Sequence, residues 1–281
     1  MPANAAPMRT IPIALFLCAF TVGCARGQST REAGPLARRL LADSAADWRS
    51  VSVPGARLHF ARAGTADREA AAIVDSVKVI RRDLLALLGA TPPTDTSRQA
   101  DLFFLNSRDE MRRLAGRPMA GFIQQGEATG VFVVTAGYHY GPLLRHELAH
   151  LHTFEAWGEP RAGRWFVEGV AAWAAGSCQG RTSDALAAGA LARRALPTLS
   201  ELANNFARVA EDVAMPQAAS VIGFLVRHEG MDAIQRHWRE APGTSHPLGR
   251  NGPALEATWF GELSRVSPAT LDIPRLQVEG C

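Results

Sequence analysis

The sequence predicts an α+β protein: a small mixed sheet with its helices in the first half, and a helical second half. Three observations predict it. Short β-branched and aromatic runs bounded by turn residues occupy the chain up to Val134, apolar residues recur every three or four positions from Gly141 onward, and 281 residues at 47% hydrophobic suffice for one sizeable core.

The elements follow in order. Arg9 precedes the apolar run "IPIALFLCAFTV", which is short for a membrane span and fits a signal-peptide core, so residues 1–27 are expected to be a signal peptide. The stretch "TVGC" resembles the lipobox of bacterial lipoproteins and implies a lipid anchor at Cys24; Thr21 replaces the usual leucine, and plain cleavage just after this point is the alternative. Either route predicts an exported protein: periplasmic, an outer-membrane lipoprotein, or secreted. Residues 28–54 read as a linker and an N-terminal helix from Leu36 to Trp48, and residues 55–281 as the main domain.

Within that domain, Leu58 and Phe60 alternate as in a strand. Asp67 is expected to cap a helix whose stripe of Ile73, Val74, Val77, Ile80, Leu84, Leu87 and Leu88 ends at Gly89. "ADLFFLN" reads as a buried strand, "SRDEMRRLAG" as a short helix with Ser107 and Glu110 placed for a capping box, and "GVFVV" as a further strand. Helical segments fill the rest, without internal repeats.

Composition excludes some functions. A formal charge of +3 with scattered basic residues carries no nucleic-acid footprint. Of four cysteines, Cys18 and Cys24 fall in the leader, and in an oxidising compartment Cys178 and Cys281 could form one disulfide.

The chemistry concentrates in "GPLLRHELAHLHTFEAWG". Pro142 suits a first helical turn and Gly158 a C-cap, which predicts a helix over 142–157 with Leu144, Leu148 and Leu151 seating it in the core. His146 and His150, four apart, leave one face and can converge on a metal, while Glu147 beside them can reach a metal-bound water. A catalytic zinc site needs a third protein ligand. His152 lies only two residues past His150 and points elsewhere, so it reads as a solvated or supporting histidine. The metzincin extension is absent, since Thr153 and Ala156 stand where its glycine and third histidine would fall. Glu168 fits better, because in the apolar stretch "WFVEGVAAW" a charge needs a partner and a neighbouring helix can return it to the metal.

"HELAH" followed by "WFVEGVAAW" resembles the gluzincin metallopeptidases, especially the peptidase MA-like group that shares its zinc motif with the M1 aminopeptidases; Trp165, Glu168, Gly169 and Ala171 match the second motif. The resemblance covers roughly residues 55–266 and implies a zincin-like catalytic domain. It also implies Zn²⁺ held by His146, His150 and Glu168, Glu147 as general base, and a peptide or protein substrate. It further implies that Gly130 to Val134 is the edge strand that pairs an extended peptide.

Three departures bear on activity. The family's oxyanion-binding tyrosine aligns with Met215, leaving Tyr138, Tyr140, His228 or His237 as substitutes; the aminopeptidase G-x-M-E-N pattern is missing; and Ala172 stands where some gluzincins carry an acidic residue. The expected function is therefore zinc-dependent peptide-bond hydrolysis in the cell envelope or outside the cell. The alternative is a weak or inactive gluzincin-fold protein that acts as a zinc-stabilised envelope binding module.

Overall fold

The computed structural model describes residues 34–43, 46–90, 99–116, 119–124, 126–134, 141–240 and 246–279. The leader with Cys24, both tyrosines and Cys281 lie outside them. The chain order is α1 (Pro35–Ala42), β1 (Trp48–Val53), β2 (Ala56–Ala61), α2 (Thr65–Arg68), α3 (Ala70–Leu87), β3 (Ala100–Leu105), α4 (Arg108–Ala115), β4 (Gly121–Gln124) and β5 (Thr129–Val133). The helical half follows with α5 (Gly141–Trp157), α6 (Arg164–Ala175), the two-residue strands β6 (Ser177–Cys178) and β7 (Arg181–Thr182), and α7 (Ser183–Ala192). It ends with α8 (Leu199–Asn205), α9 (Glu211–Glu229), α10 (Met231–Arg239), α11 (Gly252–Leu263) and α12 (Ile273–Glu279).

The expected α+β class with a mixed sheet is what forms. The strand order is β1-β2-β3-β5-β4, parallel in the middle and antiparallel at both edges. Register explains the core: Phe60, Phe104 and Phe132 are paired across β2, β3 and β5, so their rings stack at 5.1 and 5.3 Å on one face. That face also buries Leu58 and Leu102, under α3 with Ile73, Val77 and Leu84 and under α5 with Leu144 and Leu148. The opposite face carries Phe103, Leu105, Val131 and Val133 beneath α1 and α4. Helices on both faces account for the continuous apolar run of β3.

Several boundaries differ from the sequence reading. The first helix ends at Ala42, and Trp48 instead opens β1; its indole N–H donates back to Leu40 O at 3.1 Å, so its apolar spacing reflects contact with the helix rather than membership of it. β1 pairs with β2, so residues 48–53, read as part of the linker and N-terminal helix, lie in the sheet. Asp67 does not cap the long helix: α3 begins after Glu69 with no side-chain cap, and Asp67 pairs with Arg49 at 3.1 Å. Ser107 does cap α4 by accepting from Glu110 N–H, whereas the Glu110 carboxylate accepts from Asn106 N–H rather than from Ser107.

Two packing details hold the helical half around the functional helices. The buried Trp238 on α10 donates to Gly158 O at 2.8 Å, and its own carbonyl accepts from Arg161 N–H, which clamps the loop joining α5 to α6. At Gly169 the α6 and α9 backbones approach so closely that a Cβ would stand 3.0 Å from Ala218 O. Cys178 is disulfide-bonded, and its partner lies outside the described residues. No helix among the described residues is long and apolar enough to cross a membrane.

Candidate metal centre

The helix predicted over 142–157 is α5, and it ends as expected: Gly158 adopts φ +78°, and its N–H bonds Phe154 O at 3.1 Å. Leu144, Leu148 and Leu151 anchor one face. The neighbouring face carries His146 and His150, their rings near perpendicular with centroids 4.8 Å apart. On α6, Trp165, Phe166 and Val170 are buried, and that seating turns Glu168 towards the two imidazoles.

Three ligand atoms thereby converge. His146 Nε2 and His150 Nε2 lie 3.1 Å apart, and Glu168 Oε2 lies 3.5 and 3.3 Å from them. Ligands at bonds of about 2.0–2.1 Å in a tetrahedron stand about 3.3–3.4 Å apart, the spacing found here. The chemistry of the donors agrees: two imidazole lone pairs and a carboxylate are all electron-rich, and a cation at their centre satisfies all three together. The Nδ1 atoms of both rings are buried and have no hydrogen-bond partner among the described residues. His146, His150 and Glu168 therefore form a group that could hold a metal ion.

Electrostatics separates the two glutamates. Burial raises the Glu168 carboxyl, but hydrogen bonding to His146 and His150 and their charge outweigh it and hold the group well below the usual carboxylate range. Glu147 moves the opposite way. Burial foremost, and the nearby Glu168 charge, push it from 4.5 to about 7, against the pull of His146 and a hydrogen bond donated by Ile123 N–H.

That last bond locates the sheet edge that borders the site. Gly130 to Val134 does not supply it: β5 is paired on both sides, with β3 and β4, because the "GFIQ" segment forms a strand of its own. The edge is β4. Val133 N–H donates to Ala120 O, and bonded and non-bonded positions alternate in an antiparallel pair, so Gly121 and Ile123 turn their N–H and C=O groups away from β5. They face an open cleft of about 960 Å³ whose walls also include α5, α6, Met215 of α9 and Leu276 of α12.

The other candidates fall elsewhere. His152 is not solvated but fully buried, its Nδ1 3.2 Å from Glu155 Oε2, on the side facing Arg81 of α3. His228 pairs with Glu262, His237 stacks on Phe166 at 4.3 Å, and neither lines the cleft. Tyr138 and Tyr140 lie outside the described residues. Met215 and Ala172 do line the cleft. Sequence reasoning missed Arg164, whose Nε lies 3.5 Å from Glu168 Oε1, although its position four residues before Glu168 was a usable signal. It also missed Ile123, for which no local signal exists.

No family model matches the chain, and no curated protein does.

Proposed function

We propose that this protein is an exported, zinc-dependent metallopeptidase with a zincin-like catalytic domain, acting on peptide or protein substrates in the cell envelope or outside the cell. The observation that carries the reading is the convergence of His146, His150 and Glu168 with the buried Glu147 carboxyl beside them. A carboxylate so placed is within reach of a water at the centre, where it can act as a general base. Two imidazoles and one carboxylate suit zinc, and the resemblance of both motifs to gluzincins supports the same choice. Zinc held by His146, His150 and Glu168 would polarise a water and lower its pKa towards neutrality.

The chain's own residues supply the rest. The outward-facing N–H and C=O of Gly121 and the C=O of Ile123 on β4 suit an extended peptide added as a strand beside the centre. The Glu147 carboxylate takes a proton from the attacking water and delivers it to the leaving amine nitrogen. Ile123 N–H holds that carboxylate in place, and burial keeps bulk water from it.

Glu147→Gln tests the reading. The variant is expected to retain zinc by elemental analysis and to lose chelator-sensitive cleavage of a peptide library. Cleavage at the parental rate would overturn the mechanism. A second reading, a zinc-stabilised envelope binding module, is favoured by Met215 on the cleft wall, whose thioether donates no hydrogen bond to a developing oxyanion. Zinc-loaded parent protein that cleaves nothing in the library would select it. Mass analysis of the mature N-terminus distinguishes lipidation at Cys24 from plain cleavage.

A further inference from the structure

We propose that Arg164 donates the hydrogen bond that stabilises the oxyanion formed as water adds to the scissile carbonyl, an assignment that rests on the peptidase reading above. Peptide hydrolysis places negative charge on the carbonyl oxygen, and a preorganised donor aimed at that charge is a large part of such catalysis. Met215 on the cleft wall offers only a thioether sulfur, a weak acceptor. Among the described residues, the cleft-lining side chains with donors, apart from the two histidines, are Arg108, Gln124, Arg164, Ser177 and Ser183. Of these, Arg164 is the one in contact with the metal group.

The contact is informative in its detail. Glu168 Oε2 faces the two imidazoles, while Oε1, the other oxygen of the same carboxylate, lies 3.5 Å from Arg164 Nε. Arg164 is the first residue of α6 and stands one turn before Glu168, so helix geometry holds its guanidinium at the rim of the centre. The side chain is 69% exposed and lines the cleft, which leaves most of its five N–H donors open to solvent. Its Cζ lies 6.0 Å above the Phe206 ring, which limits how far it swings from the wall. At 3.5 Å the Glu168 contact is too long to be a strong hydrogen bond, so turning a donor to a new anion costs little.

In the step itself, the water oxygen bonds to the carbonyl carbon, and the C=O π pair moves onto the carbonyl oxygen, where an Arg164 N–H meets it. Glu147 takes the water proton. The oxyanion then re-forms C=O, the C–N bond breaks, and the amine leaves with the proton from Glu147. No further reactant is needed.

The test compares the parent with R164M, R164K, Y138F and Y140F, all zinc-loaded. Zinc affinity is read by chelator competition, binding of phenylphosphonate, a stable tetrahedral anion, by calorimetry, and kcat and KM on a peptide recovered from library cleavage. R164M is expected to keep zinc affinity, to bind phenylphosphonate about tenfold or more weakly, and to lose roughly a hundredfold in kcat at unchanged KM. R164K should recover part of both losses. The assignment is overturned if the parent binds no phenylphosphonate, if R164M leaves binding and kcat intact, or if Y138F or Y140F shows the losses instead. It is also overturned if R164M weakens zinc as much as phenylphosphonate, since Arg164 would then act only by positioning Glu168. A parent that holds zinc and binds phenylphosphonate through Arg164 but cuts no peptide overturns the peptidase reading, and the oxyanion role with it.

Discussion

Replacing Glu147 with glutamine is expected to stabilise the metal-free protein at neutral pH while removing its proposed base. The carboxyl titrates at about 7 when folded and near 4.5 when ordinary, so the folded chain holds an extra proton between those values. Stability that is present in full below about pH 4.5 is therefore lost as pH rises through about 7, up to about 3 kcal/mol, because a buried carboxylate beside Glu168 must ionise. Glutamine keeps the size and still accepts from Ile123 N–H but carries no charge. The variant's advantage over the parent should accordingly be under about 1 kcal/mol at about pH 5 and about 3 kcal/mol at about pH 7.5. Glu168 titrates in both proteins and cancels to first order. Urea unfolding of parent and variant with chelator present at the two pH values measures the difference. An advantage that does not change with pH would refute the burial argument. Added zinc should shrink it, because a dication nearby stabilises the Glu147 carboxylate.

Four further outcomes follow from the geometry. Glu168→Ala should weaken metal binding by more than the roughly 10–100-fold typical of losing an outer partner, with the fold retained by circular dichroism. His152→Ala should cost about 3 kcal/mol in unfolding experiments through the cavity it opens beside Glu155 and leave metal affinity unchanged, which separates it from His146 and His150. Gly169→Ala should cost about 1–3 kcal/mol, because its Cβ would meet the Ala218 backbone at 3.0 Å and push α9 from α6; thermal melting measures it. Gly189→Ala should release the segment that leads to α12, since a Cβ there would collide with Ala269 O; faster amide exchange at Ala269, whose N–H donates to Ala185 O, would show it.

Much of the centre was legible because helices make local spacing into geometry. An i, i+4 pair of histidines must share a face wherever α5 sits, and Gly158 marks its end through a backbone conformation that glycine adopts most readily. Glu168 was legible for a different reason: a charge within an apolar helical stretch requires a partner. Where the reading failed, the signal was not local. Trp48 looked helical from its spacing, yet its indole reaches back to Leu40 from a strand. "GFIQ" carries too little alternation to announce a strand, and it becomes one only because β5 offers a partner.

By itself the sequence determined which side chains can bind a cation, their order along two helices, and the α+β division of the chain, because these depend on helical and strand periods of a few residues. Only the tertiary structure decided that β4 and not β5 is the edge bordering the site, that Ile123 holds Glu147, that His152 is buried on the far side of α5, and that Arg164 stands against the outer oxygen of Glu168. Each of these depends on strand order or on how α5 and α6 seat in the core. Packing between distant segments sets both, and no short stretch of chain encodes it.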